Sequence, residues 1–139
     1  MKGTAMRPNI LLTLNAFVFI AFGIAFALYG PMMLAFFKVP ELSIDSVTYW
    51  HLAAFARMFG AALFSLGLLI WSLRKAFDAV PAETRRGVLF ALLLGNLMCG
   101  IVSITQQSSI WMTPSGWFAA GVFFLLTLAY GVLLARPVS

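Results

Sequence analysis

The chain has 139 residues, of which 63% are hydrophobic and 9% charged, against roughly 45–50% and about 25% in soluble domains. So little charge cannot cover that much apolar side chain in water. Lipid is therefore the expected solvent for most of the surface, and a soluble nucleic-acid binder is excluded despite the net charge of +5.

The first predicted span covers about residues 10–30 and follows a segment carrying Lys2 and Arg7. That charge pattern is the one a signal peptide uses, but the apolar run exceeds the roughly 7–15 residues of a secretory core and reads as a retained helix. Gly30-Pro31 weakens or kinks it, because proline lacks an N–H and restricts its predecessor. The following MMLAFFK either continues the first helix or lies along the membrane interface, with Lys38 as its snorkelling end.

A polar connection with Glu41 and Asp45 leads to the second span, residues 46–74, for which Asp45 or Ser46 is the expected N-cap. This is the stretch around which the chain is organised: a bilayer-length run from Tyr49 to Arg74 with Arg57 inside it and aromatic residues near both ends. The most charged connection, RKAFDAVPAETRR, follows, and Pro81 with Glu83 marks the start of a third span over 82–107. Thr113-Pro114 is an N-cap followed by proline at the first helical position, opening a fourth span over 114–135.

Short connections between four spans predict an all-α, transmembrane, antiparallel four-helix bundle in one domain, 1–139. Lys2, Arg7, Arg74, Lys75, Arg85, Arg86 and Arg136 fall on one side and only Lys38 on the other. The positive-inside rule then places both termini in the cytoplasm and makes the protein multi-pass, in the inner membrane of a bacterium.

Arg57 is the first candidate for function, because an ionisable group inside a membrane helix usually faces the bundle interior or a water-filled cavity. Ala53, Ala54, Gly60, Ala61 and Phe64 lie three, four or seven residues from it, a stripe that points inward and lets another helix approach. Two roles fit. The structural one is snorkelling to the outer headgroups or pairing with Glu41 or Asp45; the functional one is gripping the anionic or carbonyl-bearing head of a lipid or other amphiphile.

Asn96, Cys99, Ser103 and Gln106 or Gln107 share one face of the third helix, and the two glutamines end at about the depth of Arg57. That predicts a polar pocket in the outer half, or simply hydrogen bonds between helices, worth about 0.6 kcal/mol each on average. His51, the only histidine, is the one side chain whose ordinary pKa lies near neutrality and the only candidate acid-base residue. No cofactor or metal is expected, since one Cys and one His on different helices with no acidic residue inside a span make no usual zinc, copper or haem site. Nor is there a nucleophile elbow, phosphate loop or dinucleotide fingerprint, and Ser65 and Ser103 lack an evident base partner.

The pairs Ala21/Ala25, Gly23/Ala27 and Ala56/Gly60 read as packing seams, and fourteen phenylalanines with seven methionines suit either packing or a flexible apolar pocket. The segment ARMFGAALFSLGLLIW, residues 56–71, resembles the arginine-glycine helix of small bacterial four-helix membrane proteins of the DoxX-like kind. GPMMLAFF ahead of it agrees, and Arg57-x-x-Gly60 followed by Gly67 is the distinctive motif. The resemblance implies the fold and a membrane location, in a group linked to varied roles that include subunits of quinone-linked redox complexes. A looser similarity is to four-helix sterol- and terpene-handling proteins, whose isomerase or cyclase chemistry uses intramembrane acidic residues absent here.

The leading expectation is a non-enzymatic membrane protein that packs against other membrane subunits or itself and binds membrane lipid. The alternative is a binder, carrier or enzyme for a lipophilic small molecule held between the helices by Arg57, Gln106 and Gln107.

Overall fold

Among the described residues five α-helices follow one another: α1 (Pro8–Leu28), α2 (Gly30–Phe36), α3 (Ser46–Ala76), α4 (Ala82–Gln106) and α5 (Pro114–Ala135). The computed structural model describes residues 8–39 and 44–135, so Lys2, Arg7, Glu41 and Arg136 lie outside the described residues. A 3-10 turn (Phe77–Ala79) ends α3 and a π turn (Gln107–Trp111) ends α4, and no strand occurs among the described residues. The helical stretches Pro8–Leu28, Ser46–Ala79, Ala82–Ile110 and Pro114–Ala135 are each long and apolar enough to cross a membrane.

The helix boundaries follow from local chemistry. Pro31 has no N–H to give to the carbonyl of Ala27, so α1 breaks at Tyr29, and α2 restarts with proline in its first turn. The segment after Gly30-Pro31 is thus a short helix of its own, packed against α1 and α3. The chain leaves it through Lys38, whose positive φ of 56° accompanies hydrogen bonds from the amides of Lys38 and Val39 to the carbonyls of Ala35 and Leu34. Asp45 caps α3 by accepting from the Thr48 amide at 3.0 Å. Arg74 and Lys75 complement the α3 dipole in its last turn.

The helices associate as two pairs, α1 with α3 and α4 with α5. Along the first seam the contacting residues run in opposite directions. Gly23 lies against Phe64, Gly60 against Ala27, and Gly67 against Ile20 and Ala16. At these three glycines an added Cβ would fall within 2.4–2.9 Å of the neighbouring helix backbone, so the absence of a side chain is what lets α1 and α3 approach. Along the second seam Gly100 faces Phe124 and Gly131 faces Leu93.

The two pairs meet chiefly where α1 faces α5. Phe19 packs edge-on to Phe123 with centroids 6.4 Å apart, and Asn15 donates to the Tyr130 hydroxyl at 3.0 Å. Leu11, Leu12, Leu63, Ile70 and Leu126 complete the core. α3 and α4 are consecutive in the chain but make little direct contact. A lateral cleft therefore separates them.

Polar contacts tie α1 to α3 near the start of α1. Arg74 donates to the Thr13 hydroxyl at 3.2 Å while its guanidinium lies 3.4 Å from the Trp71 ring centre, a stacking that keeps the cation beside an interfacial aromatic. Asn9 donates to the Asp78 carboxylate at 2.8 Å.

Candidate functional site

At the opposite end, near α2, the cleft between α3 and α4 deepens into a cavity of about 430 Å³. All five helices or the segments beside them contribute to its wall. α1 supplies Phe22 and Phe26, α2 and its exit Leu34, Phe37 and Val39, α3 Phe59 and Leu63, α4 Met98, Cys99, Val102 and Ser103, and α5 Ala119 and Phe123. Exposed Phe59, Met98 and Val102 form the mouth, while Leu63, Ser103, Ala119 and Phe123 are buried and form the floor.

The phenylalanines hold one another in place. Phe26 meets Phe59 edge-on at 5.6 Å and stacks on Phe37 at 6.1 Å, and Phe22 lies 6.4 Å from Phe123. The side chains of the wall are hydrocarbon except for the Ser103 hydroxyl, the Cys99 thiol and the Met98 thioether. A cavity of this volume and composition falls in the range of small-molecule sites.

The six sequence candidates are not brought together. Ser103 alone lines the cavity. Asn96 shares its helix face but is sealed in the α4 packing, only 1% exposed, where its amide donates to the Leu92 carbonyl at 2.8 Å. Gln107 is buried and structural: its side-chain oxygen accepts from the Thr113 amide at 3.1 Å. Thr113 in turn caps α5 by accepting from the Gly116 amide at 3.2 Å and shares a 2.7 Å bond with Ser115. Ser115 donates onward to the Phe36 carbonyl at 2.8 Å, tying α5 to α2. Gln106 is half-buried and outside the cavity wall.

His51 is exposed in the first turns of α3, its Nδ1 donating to the Val47 carbonyl at 2.8 Å, beside a shallow depression shared with Trp50 and Ala54. Arg57 lies at the flank of the α1–α3 seam and not within it. Ala53 and Gly60 of its stripe are buried, but Ala54, Ala61 and Arg57 itself are exposed. Its side chain runs over Gly30, where an added Cβ would meet the Arg57 Cγ at 3.1 Å. α1 has no basic residue in its last turn, so Arg57 supplies a cation from α3 at the negative end of the α1 dipole. Among the described residues it has no hydrogen-bond or ion-pair partner.

Sequence reasoning sought polar groups and so passed over the phenylalanines that build the wall. Their signal was present as four-residue steps along three helices: Phe22 to Phe26, Phe59 to Leu63, and Met98 to Val102 beside Cys99 to Ser103.

Four apolar spans and a cavity that opens sideways between two helix pairs define the class: a multi-pass, all-helical membrane protein. No protein-family model, curated protein or solved structure matches the chain.

Proposed function

We propose that this protein is a non-enzymatic membrane protein that holds a lipophilic molecule in the cavity between its helix pairs. The observation that carries the reading is the cavity itself: about 430 Å³ of hydrocarbon-lined space within the spans of the chain, open toward the lipid through the α3–α4 cleft. A recess of this size with apolar walls on several sides offers a lipophilic occupant entering sideways dispersion contacts around much of its surface. The reading includes an antiparallel four-helix bundle of the DoxX-like kind in a bacterial inner membrane, with both termini cytoplasmic, since the basic residues cluster at the end where α3 finishes and α4 begins. The cavity then lies in the outer half of the membrane.

Native mass spectrometry on protein extracted gently from its own membranes tests it. The expected spectrum shows a discrete small-molecule adduct that disappears in Val102→Trp, a substitution at an exposed position of the mouth. Only heterogeneous phospholipid on both proteins would refute the reading.

A second reading, an accessory or assembly subunit, is favoured by a different face. Gly87, Ala91 and Gly95 lie exposed at four-residue spacing on α4, and an added Cβ at Gly87 or Gly95 meets nothing within 4 Å. Such a stripe suits close approach by another membrane helix, from a partner subunit or a second copy. Gly95→Leu should then shift the native mass of the extracted assembly to that of the lone chain; an unchanged mass would count against this face.

A further inference from the structure

Ser103 sits at the floor of the cavity, 6% exposed, and its side chain takes part in no hydrogen bond among the described residues. Asn15, Asn96, Gln107, Thr113 and Ser115 each make a hydrogen bond through the side chain, whereas Ser103 makes none among the described residues. Nor does it take the usual escape for a helical hydroxyl. Ser65, Ser108 and Ser109 all donate to the carbonyl four residues back, but the Ser103 hydroxyl is left unpaired in a wall that is otherwise apolar. The hydroxyl is not one of the fully enclosed unpartnered atoms, which are Asn9, Asn15 and Asn96 Oδ1 and Arg74 Nε among the described residues; it keeps surface open to the cavity, where a polar group of an occupant can reach it. Water is a poor partner for it, because a held water needs two to four polar partners and the described side chains of this wall offer the hydroxyl and the weakly bonding sulfurs of Cys99 and Met98.

We propose that the occupant of the cavity is an uncharged lipophile carrying a carbonyl-type oxygen, which accepts a hydrogen bond from Ser103 while its hydrocarbon part fills the phenylalanine-lined space. The inference rests on the cavity reading above and narrows it to a chemical class. A carboxylate or phosphate is disfavoured at this depth, since no cation among the described residues lines the cavity to meet it. An ester, ketone or quinone-type oxygen needs only one donor.

The test compares dodecyl methyl ketone with tetradecane, which has the same number of carbons and no oxygen, on the purified full chain in lipid nanodiscs. Cys99 is the only cysteine and lines the cavity, so protection of Cys99 from N-ethylmaleimide reports occupancy for both probes. The ketone should protect at about three- to tenfold lower concentration than the hydrocarbon, the range expected for one neutral hydrogen bond in a membrane protein. In Ser103→Ala the two probes should become equal. Because the hydroxyl has no partner to lose, that variant should unfold at the same denaturant concentration as the parent or a higher one.

Equal protection by both probes in the parent chain would overturn the inference and leave the cavity reading standing. No protection by either would overturn both. A Ser103→Ala chain of lower stability would show that the hydroxyl is bonded within the protein and would also overturn the inference.

Discussion

Gly60→Ala adds one methyl group to the chain at the tightest point of the α1–α3 seam. The new carbon would stand 2.4 Å from the Ala27 nitrogen, 2.7 Å from the Phe26 Cβ and 2.8 Å from the Gly23 carbonyl oxygen. Two of these three neighbours are backbone atoms, fixed by the hydrogen bonds of α1, so no side-chain rotation relieves the overlap. The helices must instead part by about an ångström, loosening the Gly23 and Gly67 contacts on either side. Overpacking of this kind costs about 1–3 kcal/mol, and rigid backbone on both sides puts this case near 3. Replacing a helical glycine by alanine returns about 1 kcal/mol through backbone entropy. The net loss is about 2 kcal/mol, or roughly a thirtyfold fall in the folded-to-unfolded ratio.

Gly121→Ala makes the same chemical change at an exposed position on α5 where an added Cβ meets nothing within 4 Å. It should gain about 1 kcal/mol. Unfolding by sodium dodecyl sulfate in mixed micelles, followed by tryptophan fluorescence, measures both. Opposite signs are expected; a Gly60→Ala chain as stable as Gly121→Ala would refute the close approach of α1 and α3.

Three further outcomes follow from particular contacts. Tyr130→Phe strands the buried Asn15 amide, whose carbonyl oxygen already lacks a partner, and should cost about 1–2 kcal/mol in the same assay; adding Asn15→Leu should restore most of the loss. Hydrogen bonds from Thr48 hold the Asp45 carboxyl below its ordinary value of 3.8. A lowered folded-state pKa means that the cap's contribution is complete above that ordinary value and disappears as pH falls through the folded value. The Thr48 amide resonance should accordingly move only below about pH 3.8, and in Asp45→Asn this movement should vanish; a shift near neutrality would contradict the cap. Arg57→Ala should leave occupancy of the cavity unchanged, because Arg57 crosses Gly30 and is not part of the cavity wall; loss of Cys99 protection in that variant would show that the cation reaches the occupant.

The helices were legible because their signals are local. Asp45 before α3, Glu83 in the first turn of α4 and Thr113-Pro114 before α5 each act within one turn of the residues they organise. Their predicted starts coincide with the observed ones, at Ser46, Ala82 and Pro114. Gly30-Pro31 announced a break for the same reason, though not that α2 would pack beside α1 and α3, which depends on distant partners. The seam was partly legible too. Gly23/Ala27 and Ala56/Gly60 mark faces that permit close approach, and Gly23 and Gly60 do lie at the contact. What no local signal contains is which small-residue face meets which helix.

That missing information is what separated the expected polar pocket from the observed apolar one. Arg57 and Gly60 lie three residues apart on α3, close enough to share a broad face, yet a face can be half seam and half flank. Gly60 occupies the seam because α1 comes close there, while Arg57 stays exposed on the flank with its side chain passing over Gly30. Gln107 was expected to face a ligand at the end of the third span; the chain instead turns through a π segment, and the α5 cap needs an acceptor for the Thr113 amide. Gln107 is consumed at a helix terminus, where backbone hydrogen bonds run out, and Arg57 lies beside the end of α1, outside the cavity wall. Ser103 is different. It lies in the last turn of α4, where the Gln107 amide already takes its backbone carbonyl, and its hydroxyl lines the cavity and so remains available to something that is not protein.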